Sequence, residues 1–151
     1  DIAFKSTQVV ERRYLALTWG HFGSEEGVIE APIGRSPKDR TRMAVVSTGR
    51  ESLTSYRVLK SWESPEVSLI SVVIKTGRTH QIRVHLSAIG NPIVADKSYG
   101  KKSTLQTLER PFLHAEFLGF KHPEDGRPLE FETSLPDDLF AVLKQLGDSN
   151  I

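Results

Sequence analysis

Cysteine is absent from this sequence. That excludes disulfides, thiolate catalysis and thiolate metal sites, and agrees with a reducing compartment. No stretch approaches the ~18 apolar residues of a membrane span, and no charged-then-apolar leader opens the chain, which predicts a soluble, cytoplasmic protein without membrane association. Glycine-rich dinucleotide or P-loop phosphate motifs and a His-Glu-x-x-His pattern are also missing, as are internal repeats and low-complexity segments. Net charge is only +1, yet residues 124–151 hold two basic and seven acidic residues, leaving the preceding 123 with a surplus of six cations. A basic body with an acidic end is compatible with an RNA partner. At 151 residues, 38% of them hydrophobic, the chain is long enough to bury a core of moderate size as one domain, with no separate second one.

What is present centres on Thr76-Gly77-Arg78-Thr79-His80-Gln81-Ile82-Arg83-Val84-His85-Leu86. Before it, Val67–Ile74 is a β-branched run without Gly or Pro, as expected of a strand buried on both faces. Gly77 then turns the chain, Thr79 is placed to cap a helix, and Gly90 followed by Asn91-Pro92 is a strong stop. At 100° steps Ile82, Leu86 and Ile89 fall on one apolar arc, with Thr79, His80, Arg83 and Ser87 on the neighbouring polar one. The helix N-terminus, with Arg78 beside it, would suit a phosphate. A solvated polar face is the plain alternative. Two arginines, a histidine, a glutamine and a turn glycine directly after a buried strand argue for a site.

Elsewhere the pattern is mostly strands. The first dozen residues could end a helix, and Tyr14–Trp19 alternates as a half-buried strand ending at Gly20. Val28–Ile33 is interrupted by Pro32 and so belongs at an edge or bend. Arg35 to Arg42 sets four cations, Arg35, Lys38, Arg40 and Arg42, against one anion, with Pro37 indicating a loop. Leu53–Leu59 leads through Trp62 and the Ser64-Pro65 break into the buried strand. Lys101 to Arg110 is polar, a loop or a short helix. Phe112–Phe120 and Leu129–Glu132 flank an Asp125-Gly126 turn, a hairpin signal. Pro136 opens a helix with Leu139, Val142, Leu143 and Leu146 on one side, stopped by Gly147. Short connections between successive strands favour antiparallel neighbours. A metal site is not expected, because His80 and His85 are five apart, roughly 140° around a helix.

Thr76 to His85, continued through Leu86 to Gly100, resembles the C-terminal signature of the RluA-like RNA pseudouridine synthases over 25 residues. Two further stretches resemble the same family in the same order: Glu11–Gly20, a basic residue, a tyrosine and a small residue leading to glycine, and Leu113-His114-Ala115. The resemblance implies an α+β fold, a mainly antiparallel or mixed sheet with flanking helices. It further implies cofactor-free isomerisation of a flipped-out uridine in ribosomal, transfer or other structured RNA. It assigns the arginine that pairs with an essential aspartate to Arg83, and the residue lying against the uracil to Tyr14, which from the residues alone reads rather as a core or sheet tyrosine. RNA contacts are expected from Arg35, Lys38, Arg40, Arg42, Arg78, Thr79, His80 and Gln81.

One part of the family pattern is missing. The His-Arg-Leu-Asp segment that carries the nucleophilic aspartate occurs nowhere among these residues, and only 13 residues precede Tyr14. The expectation is therefore the C-terminal part of a catalytic domain, incomplete at its N-terminus and inactive alone. The alternative is a non-catalytic RNA-binding module of the same fold. Exposed sheet edges should make such a piece self-associate or bind its missing part.

Overall fold

The computed structural model describes residues 9–101 and 108–147. The expectation of a helix end in the first dozen residues meets it only at its last few positions. There the chain is strand β1, Val9–Trp19. It is followed by β2, Glu26–Glu30, and a small hairpin of β3, Ile33–Arg35, and β4, Met43–Val45. Then come the long pair β5, Leu53–Glu63, and β6, Glu66–Ile74. Helix α1 spans Gln81–Ala88, β7 spans Leu113–Lys121, β8 spans Pro128–Glu132, and α2 spans Asp137–Gln145. The 102–107 part of the polar stretch expected as a loop or short helix lies outside the described residues.

Strands β2-β5-β6-β1-β7-β8 form one six-stranded sheet in that order, and every adjacent pair is antiparallel. The fold is thus α+β with an antiparallel sheet, as the short connections required. β6 lies inside it, and Val67, Leu69, Ile70 and Val72 are fully buried. Its unbroken β-branched run is the signature of a strand covered on both faces. β2, the Pro32-bounded segment, is an edge strand, and Pro32 itself falls between β2 and β3, where no ladder hydrogen bond is lost.

Register decides which residues meet. Tyr14, Ala16 and Thr18 oppose Val72, Ile70 and Ser68, and Tyr56 and Thr54 oppose Val72 and Ile74. These residues share one face, because opposed residues of an antiparallel pair point the same way. The β1–β7 ladder slips between Arg13 and Tyr14, leaving Glu116 as the extra residue. Such a bulge re-aims the side chains beside it.

Helix α1 differs from its expected form in two ways. Thr79 does not cap it. His80 is the cap residue, left-handed at φ 54°, and makes no side-chain capping bond. The reason lies in Gln81, whose side chain reaches back to the Arg78 N–H at 3.1 Å while its own N–H bonds the Arg78 carbonyl, so a turn is completed before the helix begins. The buried side is also wider than one arc. Ile82 and Leu86 are buried as expected, but Ile89 is 42% exposed, while Gln81, Val84 and His85 are buried. A second small core of Ile33, Val84 and Tyr99, with Met43 against it, covers the helix from the side of the β3–β4 hairpin. Gly90, at φ +86°, takes the left-handed position that ends the helix, where L-residues are strained.

Candidate functional site

The signature residues divide into a buried relay and a cleft. In the relay Thr76 Oγ1 accepts from Leu53 N–H and donates to Gln81 Oε1 at 2.7 Å. The Gln81 amide nitrogen donates to the Leu53 carbonyl and to Thr54 Oγ1, each at 2.9 Å. Thr54 Oγ1 then donates to His85 Nδ1 at 2.7 Å, and His85 Nε2–H donates to the Ala31 carbonyl at 2.9 Å. Each hydrogen has one acceptor, which fixes His85 in its neutral Nε2–H form. Burial holds its pKa below 6.5 against the opposing bond to Ala31.

Gln81, expected as an RNA contact, lines the cleft while its amide is tied into this relay. It is 3% exposed, and both ends of its amide are committed inside the protein. A fully satisfied buried network rigidifies rather than recognises. His85 likewise has both ring nitrogens engaged, so the His80/His85 pair cannot hold a metal. A different trio, His21, Glu63 and Glu66, brings ligand atoms within 4.8 Å of one another at the β5–β6 turn, a juxtaposition invisible in the chain order. It shares no residue with the cleft.

The cleft, about 250 Å³, is lined by Tyr14 and Arg12 of β1, by Gly77, Arg78 and His80 of the turn, and by Gln81 and Arg83 of α1, with Ile74, Ile82 and Leu113 as its apolar wall. Two of the three resembling stretches thus converge through Tyr14 and Arg83, and the third supplies Leu113. Its neighbour His114 instead bonds the Thr133 carbonyl at 3.1 Å. Nothing in the chain order singles out Arg12. Its guanidinium lies directly against Gly77. Arg78 is steadied by donating Nε–H to the Glu51 carbonyl at 2.8 Å, and Thr79 beside it is exposed.

Arg83 is held by an aspartate of the same signature. Its Nε–H and Nη2–H donate to Asp96 Oδ2 and Oδ1 at 2.8 and 2.9 Å, a bidentate fork on a carboxylate that is wholly buried. Asp96 Oδ1 also accepts the N–H groups of Ser98 and Tyr99, both at 3.1 Å. Burial alone would raise the Asp96 pKa. The Arg83 fork and the two backbone donors outweigh it and hold the carboxyl below 3.8, while the same fork raises Arg83. Asp96 is wholly buried and is not among the residues lining the cleft. Arg83 Nη1 and one hydrogen of Nη2 stay outside the fork.

Tyr99 joins this pair to the basic hairpin. Arg83 lies 5.0 Å and Arg42 4.9 Å from its ring centroid, its Oη accepts Met43 N–H at 3.0 Å, and Oη lies 2.8 Å from His80 Nδ1. Burial and the nearby Arg83 charge lower the His80 pKa, opposed by Asp96. The other hairpin cations, Arg35, Lys38 and Arg40, are exposed. Ser36 Oγ accepts the N–H groups of Lys38 and Asp39, and Arg35 donates to the Arg40 carbonyl, so the tip is an organised turn.

A basic cleft with one aromatic, and no lining carboxylate among the described residues, suits an anionic ligand with a ring to stack. Comparison with known proteins narrows this. Residues 2–88 match the family model for RNA pseudouridylate synthase. An uncharacterised RNA pseudouridine synthase of Chloroflexus aurantiacus is 52% identical over 135 residues, 89% of this chain and 42% of that protein. The ribosomal large subunit pseudouridine synthase D of Nitrosomonas europaea is 44% identical over 154 residues, 97% of this chain and 44% of its own. Among solved structures, human RNA pseudouridylate synthase domain containing 1 superposes with a TM-score of 0.77 at 35% identity, over 93% of this chain and 61% of that one. The chain spans less than half the length of those two curated relatives. With the family model, the relatives and the fold in agreement, the chain belongs to the RNA pseudouridylate synthase family.

Proposed function

We propose that this chain is the C-terminal part of the catalytic domain of an RNA uridine-to-pseudouridine isomerase acting on ribosomal or other structured RNA. The observation that carries the reading is the meeting of Tyr14 and Arg83 in one cationic cleft, with Arg83 keeping donors beyond its fork on Asp96. In the reaction an ionised aspartate acts on the extruded nucleotide. A guanidinium beside it keeps the carboxylate charged and oriented. Arg83 supplies that group, and Tyr14 packs on the uracil and assists proton removal at C5. No cofactor is required.

Catalysis by this cleft also requires an aspartate that the described residues do not put into it. Burial and the absence of Asp96 from the cleft lining speak against that residue. RNA is gripped by Arg78, Thr79 and His80 at the cleft and by Arg35, Lys38, Arg40 and Arg42 on the hairpin. The second reading, an RNA-binding module without chemistry, is favoured by one observation: among the described residues no carboxylate lines the cleft.

Tritium release from a transcript labelled at uracil C5 separates the two. No release is expected from the 151 residues alone. Release is expected when a segment carrying the nucleophile is supplied, with a loss of about 100-fold or more in Arg83→Ala, of the order of one preorganised charge interaction. RNA binding without release under either condition would favour the module.

A further inference from the structure

We infer that Tyr99 is a positioning residue of the nucleotide site: its hydroxyl holds His80 so that an uncharged Nε2–H donor faces the RNA, and its ring braces Arg83 and Arg42. This deepens the reading of the cleft as an RNA site and rests on it.

The hydrogen-bond directions settle which atom carries the proton. Tyr99 is 8% exposed, and its Oη already accepts the Met43 N–H at 3.0 Å. Its one hydrogen has His80 Nδ1, at 2.8 Å, as acceptor. If Nδ1 were instead the donor, Oη would accept twice and a nearly buried hydroxyl hydrogen would be left without an acceptor among the described residues, which is unfavourable. Nδ1 therefore accepts, and Nε2 carries the ring hydrogen. His80 is exposed, lines the cleft, and sits at φ 54°, a conformation non-glycine residues adopt at a cost. The charged groups around it are Arg83 of α1, Asp96 of the following loop, Arg42 of the hairpin, and Arg12 and Arg78, which line the same cleft. The Tyr99 ring is within 5.0 Å of both guanidiniums, so hairpin, cap histidine and arginine fork are set by one side chain. His80 then offers the nucleotide a neutral donor for a carbonyl or phosphoryl oxygen, beside arginines that carry the charge.

The test has two arms on the full chain. Imidazole ¹⁵N NMR should show His80 as the Nε2–H tautomer, and Tyr99→Phe should raise its pKa and mix the tautomers with the fold intact. An Nδ1–H tautomer, or no change in Tyr99→Phe, would overturn the positioning role. In the second arm a fluorescent oligouridylate is titrated at several salt concentrations. His80→Gln, which keeps a donor near the Nε2 position, should bind within about threefold of the parent, and His80→Ala should lose about tenfold with an unchanged salt slope. Both variants carry the same left-handed backbone strain, so strain cancels between them. A smaller slope in His80→Ala would mean that a charged imidazolium meets phosphate and would refute the neutral donor. Should the parent itself fail to bind, the RNA reading falls, while the NMR arm still decides what Tyr99 does.

Discussion

Among single residues, the signature's polar groups serve opposite ends. His85 and Asp96 are buried with their polar atoms engaged, Gln81 lines the cleft with its amide engaged, and Arg83 and His80 line the cleft with donors to spare. Removing the charge of Asp96 should be costly, since Arg83 would keep its guanidinium beside a neutral buried amide. Asp96→Asn is expected to destabilise the chain by about 3 kcal/mol, the lower end for a broken buried pair because Arg83 retains some exposure. Urea unfolding measures it, and a loss below about 1 kcal/mol would show that the fork is not a stability element. His85 makes a second prediction. Its folded pKa lies below 6.5 because of burial, so the unfolded chain takes up a proton first as pH falls. Stability should be flat above about pH 7 and decline below about 6.5, with a slope approaching about 1.4 kcal/mol per pH unit for each such histidine. Unfolding free energies that stayed level from about pH 7 to about 5.5 would contradict this. The Asp96 contribution vanishes only further down, below 3.8.

Among the elements, β6 and α2 show how far local pattern reaches. A continuous apolar run gave β6 its place inside the sheet, and Leu139, Val142 and Leu143 of α2 are buried at the spacing expected. The start of α1 was not legible, because Gln81 turns its side chain back to Arg78 and Thr76, in a network that depends on β5 lying alongside. Ile89 leaves its expected arc for a related reason. The helix is packed from two directions, and a single hydrophobic arc describes a helix packed from one. The β3–β4 hairpin carries a prediction of its own. If its cations grip RNA phosphates, Lys38→Ala combined with Arg40→Ala should lower the slope of log K against log salt by about 1.4 on single-stranded RNA, about 0.7 for each phosphate no longer neutralised. An unchanged slope would make these cations a solvated surface.

For the whole molecule, the sheet ends at β2 and β8, and among the described residues no further strand pairs with either. β2 presents Val28 at 62% exposure and β8 presents Phe131 at 55%. Bare edges with large apolar side chains invite strand pairing. We expect concentration-dependent self-association by analytical ultracentrifugation, weakened in the double variant Val28→Lys with Phe131→Lys. A monodisperse monomer at high micromolar concentration would count against it. No helix among the described residues is long and apolar enough to cross a membrane.

Most strands, the antiparallel class and the family were legible in the chain order, because these follow from short-range periodicity, turn chemistry and a contiguous motif. Tyr14 and Arg83 could be named as candidates from the chain order, since each lies within a stretch that resembles the family; that they line one cleft came from the structure. Their surroundings came from the tertiary fold. Asp96 on Arg83, Tyr99 between two guanidiniums and Arg12 against Gly77 join residues 13 to 65 positions apart. Hydrogen-bond direction and burial are properties of such meetings, and chain order does not encode them locally. The burial of His85, polar and two residues after Arg83 in the chain, follows for the same reason.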